Sequence, residues 1–381
     1  MTISIFGSLF LLLWYNINTM NPDRKKQNID AIDFDGRKQQ NIQKTFKRVF
    51  VDVLIFLLLI IATFLLVFKD QDLGEALNAF YSAKFGFVFL GILLMVGYFA
   101  IEAWNIYSIL KSFGEKLTYA QAFKFTLIGF FFCSVTPGAS GGQPIEIYYM
   151  SKEKISGAHA TLALLIQLCG VQISVIALGV IGIIFSLSYM ETSVIWLTLL
   201  GLLINGVALA ILLICIFSKK LTQRIVDFGI AVLKLFGYKK IEQKRKSINK
   251  SLEQYSNGAV YIKSHRKEFW ICIGRTTLQM VFYFLIPFCV YKALNLSGTS
   301  FIQLFFFQAV LFMATSGLPL PGAIGASEAV FLSLFGAAFG EEMLGGAMLL
   351  NRSISFYWFV LITMVVVFIN IVRIKAAKEE K

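Results

Sequence analysis

Six long apolar runs, each close to the length of a membrane-crossing helix, constrain this chain more than any other feature of its sequence. They lie at residues 49–68, 85–110, 158–185, 194–217, 269–291 and 353–372. A helix needs about 20 apolar residues to cross the roughly 30 Å hydrocarbon core of a bilayer. Since lipid offers no partner for backbone polar groups, these runs predict an all-α integral membrane protein with about six full transmembrane helices.

The composition supports this class, because 57% of the residues are hydrophobic and only 15% are charged. A net charge of +13 would suggest nucleic-acid binding in a soluble protein. Here the basic residues cluster between apolar runs, as the positive-inside rule predicts for cytoplasmic loops, so nucleic acid is not an expected partner. The five cysteines and two histidines lack metal-ligand spacing, and we expect neither a metal nor another cofactor.

The charge of the loops predicts a multi-pass topology with both termini in the cytoplasm. The N-terminal segment 1–48 and the tail 373–381 are basic. The most basic loop, 219–268, interleaves charged and apolar residues, which predicts an amphipathic helix on anionic inner-leaflet lipids; a solvated linker is the alternative. The apolar stretch 3–15 is too short to span and lacks the basic start of a signal peptide, so translation from Met20 is equally consistent with the sequence.

Two further apolar segments are interrupted by glycine and proline, and they predict re-entrant hairpins. Residues 136–144 interrupt the first segment, and residues 316–325 interrupt the second. Neither half of the first segment can span a bilayer, and Lys152 and Lys154 follow at once, so both of its ends are expected on the cytoplasmic face. Two glutamates follow the second segment, which places the mouth of that hairpin on the opposite face.

The order span, span, hairpin, span occurs twice, in residues 49–186 and 194–372, so the whole transmembrane domain covers 49–372. Each half crosses the membrane an odd number of times, which predicts an inverted repeat. The breaks also match in sequence, with PGASG at 137–141 and PGAIG at 321–325. Paired breaks of this kind are typical of secondary transporters, whose substrates bind there near the midplane. The alternative is that glycine and proline are simply common in membrane helices.

Charged residues inside membrane spans are costly and usually functional. Asp52 lies near the predicted inner interface, where its side chain can reach water. The others are Glu102, Glu146, Arg275, Glu328 and Arg352. The arginines would bind a lipid phosphate, and the acids would bind a cationic substituent. For all of these except Glu146, the alternative is a structural ion pair.

The breaks supply the remaining candidate ligands. Short helices beginning after Pro144 and after Gly325 would present free N–H groups and a positive dipole end to a phosphate. The predicted substrate-binding residues are Thr136, Pro137, Gly138, Ser140, Gly141, Gly142, Gln143, Glu146, Pro321, Gly322, Gly325, Ser327 and Glu328, together with Glu102, Arg275 and Arg352. No catalytic residue is predicted, and the Gly-Lys dipeptide of a phosphate-binding loop does not occur, which excludes ATP hydrolysis by the usual loop.

At the break motifs the chain resembles a known family. SVTPGASGGQPIEIYYM at 134–150, LPLPGAIGASE at 318–328 and Asn351-Arg352 are similar to the lysylphosphatidylglycerol synthase transmembrane (flippase-like) family, the membrane half of multiple peptide resistance factor proteins. The resemblance covers residues 46–372. It implies a translocase of the bacterial plasma membrane that moves lysylphosphatidylglycerol or a related phospholipid and contributes to resistance against cationic antimicrobial peptides.

Two departures from the family pattern keep other functions open. Full-length relatives continue into a cytosolic domain that transfers lysine from lysyl-tRNA to phosphatidylglycerol, whereas this chain ends soon after residue 372. Phosphatidylglycerol lysyltransferase is therefore one alternative function, and a membrane partner of a separate synthase is another; a homo-oligomer is also a candidate assembly. Many relatives carry an acid directly after the paired glycines, where this chain has Gln143.

Overall fold

The computed structural model describes Gly74, Asn78 and residues 81–217 and 266–379. Its helices are α1 (Phe85–Ser112), α2 (Tyr119–Val135), α3 (Gly142–Lys152), α4 (Gly157–Ser186), α5 (Thr192–Phe217), α6 (Arg266–Phe284), α7 (Ile286–Ala293), α8 (Phe301–Ser316), α9 (Ala326–Phe339), α10 (Glu341–Arg352) and α11 (Trp358–Glu379). The predictions for residues 3–15, Asp52, the span 49–68 and the amphipathic helix of the basic loop lie outside the described residues.

The all-α membrane class is confirmed. Six segments of the described chain are long and apolar enough to cross a membrane, namely Phe85–Ser112, Gly157–Tyr189, Thr192–Ile214, Arg266–Ala293, Pro321–Phe339 and Glu341–Ile371. Their outward surfaces carry large apolar side chains, for example Trp196 at 68% exposure and Phe368 at 67%. Such continuous apolar exposure suits lipid rather than water as the solvent.

Three boundaries differ from the predicted ones. The span predicted at 269–291 consists of two helices, because Pro287 lies near the start of α7 and lacks the N–H that would continue α6. The span predicted from Ser353 begins at Glu341, since α10 joins α11 through a π-helical segment, Ser353–Tyr357. The last helix then continues to Glu379, into the predicted tail.

Each interrupted segment folds back on itself. Helix α2 packs against α3, and α8 packs against α9. The contacts between the halves are reciprocal, because α2 also packs on α11 while α8 packs on α4, and the two breaks contact each other. An internal two-fold repeat predicts such reciprocal packing, in which the interrupted segment of each half contacts the last span of the other half. Re-entry of these segments, and their entry from opposite faces, stay predictions. Pro321–Phe339, which includes the second half of the second predicted hairpin, is itself long and apolar enough to cross a membrane.

Candidate functional site

The two breaks share one backbone conformation. Each contains a 3-10 turn, Pro137–Ala139 in the first and Pro321–Ala323 in the second. The glycines at 138 and 322 both have φ of 58°, and the alanines that follow have φ of 54° and 52°. Positive φ is uncommon for any residue with a side chain. Because the same unusual pair of residues recurs in both halves, the sequence match extends to the backbone.

Gly322 is required both by its conformation and by its surroundings. A Cβ atom at this position would collide with the ring of Phe356. We expect Gly322→Ala to lower the free energy of unfolding by more than the roughly 1–2 kcal/mol that a left-handed conformation costs an ordinary residue. Thermal unfolding in detergent measures this effect. Gly206→Ala, on α5 with open space around it, is the matched control and should cause no loss. An unchanged melting temperature for Gly322→Ala would contradict this account of the break.

The second break is tied to α10 by a buried ion pair. The Arg352 Nε atom donates to Glu328 Oε1 at 2.7 Å, and the two side chains are 8% and 1% exposed. Arg352 Nη2 also donates to the Gly322 carbonyl at 3.1 Å, and the Tyr357 hydroxyl donates to Glu328 Oε1 at 3.1 Å. The structure therefore shows the structural ion pair for these two residues. A phosphate would have to compete with Glu328 for this guanidinium.

The N–H group that immediately precedes each short helix already has a partner within the chain. Glu328 Oε2 accepts from the Gly325 N–H at 2.7 Å, so this acid also caps α9. Helix α3 begins at Gly142, two residues before the predicted Pro144. The preceding Gly141 N–H donates to the Thr136 hydroxyl at 2.9 Å. These two N–H groups thus serve the turns themselves, and the acids are the more informative part of the site.

Glu146 is a buried acid without a counter-charge among the described residues. Its side chain is 5% exposed, and its Oε2 atom has no hydrogen-bond partner among the described residues. The carboxylate lies against Gly129 of α2, where a Cβ atom would collide with it. Burying an ionised carboxylate without a partner is very costly, so this group must take up a proton or a cation.

Glu146 and Glu328 differ because of their positions in matching helices. Glu328 is the third residue of α9, where its carboxylate reaches back to the N–H before the helix. Glu146 is the fifth residue of α3, and Pro144 occupies the third position. An acid at the fifth position is too far along the helix to cap it. Glu146 therefore faces α2 instead of its own helix start.

Glu102 brings a second acid towards Glu146. The two carboxyl groups, on α1 and α3, are close enough to interact electrostatically. Gln279 Nε2 donates to Glu102 Oε2 at 3.0 Å, and Gln167 Nε2 donates to Gln279 Oε1 at 3.3 Å. No basic side chain forms an ion pair with either acid in the part of the chain that the structure describes. This interior region therefore has an excess of acid.

Arg275 lies apart from this acidic pair and from Arg352. Its Nη1 atom donates to the Ser108 hydroxyl at 3.0 Å, and its guanidinium stacks over the Trp104 ring at 4.3 Å. Trp104 is 50% exposed, so this arginine lies towards the outer surface. The two predicted arginines share no partner, and the structure does not bring them together on one phosphate.

The remaining predicted residues surround the breaks, while several participants were not predicted. Gly138, Gly142, Gln143, Pro321 and Ser327 are buried, Ser140 is partly buried and Pro137 is exposed. The residues missed are the amides Gln167 and Gln279, the space-making Gly129, and Phe356 and Tyr357 beside Arg352. Amide side chains inside apolar runs were the available signal, since each needs a polar partner within the membrane.

Comparison with known proteins agrees with the break motifs. The family model described as lysylphosphatidylglycerol synthase TM region matches residues 49–363. A protein named UPF0104 membrane protein from Archaeoglobus fulgidus is 21% identical over 333 residues, which cover 86% of this chain and 99% of that protein. The matched residues include both breaks and all the candidate acids and arginines. This chain is a multi-pass membrane protein that belongs to the lysylphosphatidylglycerol synthase TM region family.

Proposed function

We propose that this protein translocates a phospholipid with a cationic headgroup substituent, lysylphosphatidylglycerol or a close relative, across the bilayer. The observation that carries the proposal is Glu146, a buried acid that lies near Glu102 and has no basic partner among the described residues. An ammonium group on a passing lipid would supply the missing positive charge and charge-assisted hydrogen bonds.

The broken hairpins support a transport role. Irregular backbone at membrane depth is tolerated only where protein or a polar cavity surrounds it, and broken helices commonly form the substrate sites of transporters. Here the two breaks contact each other, and Glu146 lies five residues into the helix that follows the first of them. We propose that the hairpins re-enter from opposite faces, which would let a headgroup approach this region from either side.

The setting of this transport is also part of the proposal. We propose a plasma-membrane location, which the family resemblance implies, with cytoplasmic termini, which the loop charges predict; the basic loop 219–268 would bind anionic inner-leaflet lipids. A separate synthase would supply the aminoacylated lipid at the inner face. Its appearance in the outer leaflet would add positive charge there and repel cationic antimicrobial peptides.

Reconstitution into vesicles tests the proposed function. Purified full-length protein is placed in phosphatidylcholine vesicles with a trace of fluorescent lysylphosphatidylglycerol, and an impermeant quencher reports the fraction in the outer leaflet. We expect equilibration within the assay, with unlysylated phosphatidylglycerol moving about tenfold more slowly because it lacks the ammonium groups. Protein-free vesicles give the background rate. Transfer at that background would refute a translocase, whereas equal rates for the two lipids would refute the role assigned to the acids.

A further inference from the structure

A row of polar contacts joins α1 to α6. Gln279 bonds to Glu102 at one end of the row, and Asn105 Nδ2 donates to the Thr276 hydroxyl at 3.1 Å in the middle. Arg275 bonds to Ser108 at the other end. Along the row the residue numbers rise in α1 and fall in α6, so the two helices run antiparallel. The row therefore connects the acidic interior to the Arg275 end.

The Arg275 end of this row faces the lipid. Beside it, Trp104 is 50% exposed, Leu278 is 47% exposed and Ile271 is 39% exposed. Gly274 has open space where a side chain would be. By contrast, Asn105, Thr276 and Gln279 are each no more than 1% exposed. The middle of the row is thus enclosed, and its Arg275 end, where Arg275 and Ser108 are partly exposed, lies beside exposed apolar side chains.

Arg275 has no counter-charge among the residues that the structure describes. Its side chain contacts the Ser108 hydroxyl and the Trp104 ring, and in residues 81–217 and 266–379 no carboxylate lies within ion-pair distance of it. Arg352, by contrast, is buried and is neutralised by Glu328. Charges at membrane depth are costly unless they are paired or reach the interface. Among the described residues Arg275 therefore has no anionic partner, and an anion from the surrounding membrane can neutralise it.

The geometry points to a docking site for the phosphate of a membrane phospholipid, formed by Arg275, Ser108 and Trp104 on the lipid-facing side of α1 and α6. The planar guanidinium can give a phosphate two parallel N–H donors while it stays stacked on the indole. One turn further along α1, Lys111 stands over the Tyr107 ring and adds a second cation. Aromatic rings and cations of this kind are typical of the headgroup level of a bilayer.

This site is distinct from the acidic pair but adjoins it. Arg275 and Gln279 are one helical turn apart, about 6 Å along the axis, and Gln279 holds Glu102. A lipid anchored by its phosphate at Arg275 would have the rest of its headgroup beside the start of the polar row. Phosphate docking itself requires no translocation, so it can be tested independently of the proposed transport.

Lipid binding to the purified full-length protein tests this inference. Delipidated protein in detergent is titrated with phosphatidylglycerol, and native mass spectrometry counts the bound lipids. We expect Arg275→Gln to lower the affinity of the tightest site for phosphatidylglycerol about tenfold. Arg275→Lys should lower it less, since lysine keeps the charge but lacks the two parallel N–H donors of the guanidinium. The control is Lys292→Gln, which removes a cation that also stands over aromatic rings, but on α7. It should bind as the wild type does.

The outcomes separate the sources of phosphate and the effects on folding. Inorganic phosphate at millimolar concentration should not displace the lipid; displacement would indicate a general anion site. Unchanged affinity in Arg275→Gln, or an equal loss in Lys292→Gln, would overturn the assignment.

If Arg275→Gln does not fold, wild-type protein is labelled with a phosphatidylglycerol carrying a photoreactive headgroup. Labelled peptides within Phe85–Ser112 and Arg266–Phe284 are then expected, and labelling only elsewhere would refute the site.

Discussion

Arg352→Gln is expected to lower the free energy of unfolding by about 3–5 kcal/mol, because it leaves Glu328 as an uncompensated charge at 1% exposure. The same change removes the hydrogen bond to the Gly322 carbonyl that holds the second break against α10. Most of the protein should therefore be lost to aggregation or appear with a much lower melting temperature. Fluorescence-detected gel filtration and thermal unfolding in detergent measure both effects.

A charge-neutral pair of substitutions distinguishes this electrostatic cause from a general sensitivity of the region. Combining Arg352→Gln with Glu328→Gln removes both charges, and we expect it to recover much of the lost stability, since no buried ion remains. Lys124 and Glu153 form the control pair, because both are about one-quarter exposed and such pairs contribute at most about 1 kcal/mol. A single Arg352→Gln variant as stable as the wild type would show that the ion pair does not hold the break.

The spans were predictable because a helix that crosses lipid must be apolar along nearly its whole length. The start of the last span was not. In the sequence Glu341 and Glu342 favour an outer loop, and the nearby Gly345 and Gly346 weaken a helical pattern. In the structure both acids lie in the first turn of α10, where negative charge stabilises a helix start, and Leu344 and Met348 are buried. Contacts between helices outweighed the local propensity.

The sequence predicted where the candidate site lies, but it did not predict which of its charged residues pair with each other. Pro-Gly-Ala marks both breaks because few sequences adopt two successive residues of positive φ. Which acid meets which base depends on the faces that helices turn towards each other. Glu328 and Arg352 are 24 residues apart and meet, whereas Arg275 meets no acid in the described chain. The sequence therefore identified the charged residues of the spans, but it did not show which of them are buried in the interior and which lie near the surface.

Glu146→Gln is not expected to destabilise the fold as Arg352→Gln does, because no ion pair to Glu146 exists among the described residues. Glutamine keeps the size of the side chain against Gly129 and removes a buried carboxyl group whose Oε2 atom is unbonded. The folded protein should therefore be at least as stable as the wild type. Transfer of lysylphosphatidylglycerol should fall about 10- to 100-fold, which corresponds to the loss of one charge-assisted hydrogen bond.

The vesicle assay measures this loss against a matched glutamate. Glu153→Gln removes an acid from the partly exposed pair with Lys124, just beyond the end of the same helix α3, and should transfer lipid at the wild-type rate. A Glu146→Gln protein that transfers lysylphosphatidylglycerol normally would remove Glu146 from the substrate site. Loss of the folded protein would instead assign this acid a structural role, despite its unbonded oxygen.

A double-mutant cycle with Glu102 decides whether the two acids act on one ammonium group. If they bind the same group, Glu102→Gln should slow transfer as well, and the double variant should lose less than the sum of the two single effects in free energy. Independent roles predict additive losses, since the second substitution would then remove a separate contact. Because Gln279 holds Glu102, the variant Gln279→Leu should reproduce part of the Glu102→Gln effect. Additive losses, with no effect of Gln279→Leu, would refute a shared cation site.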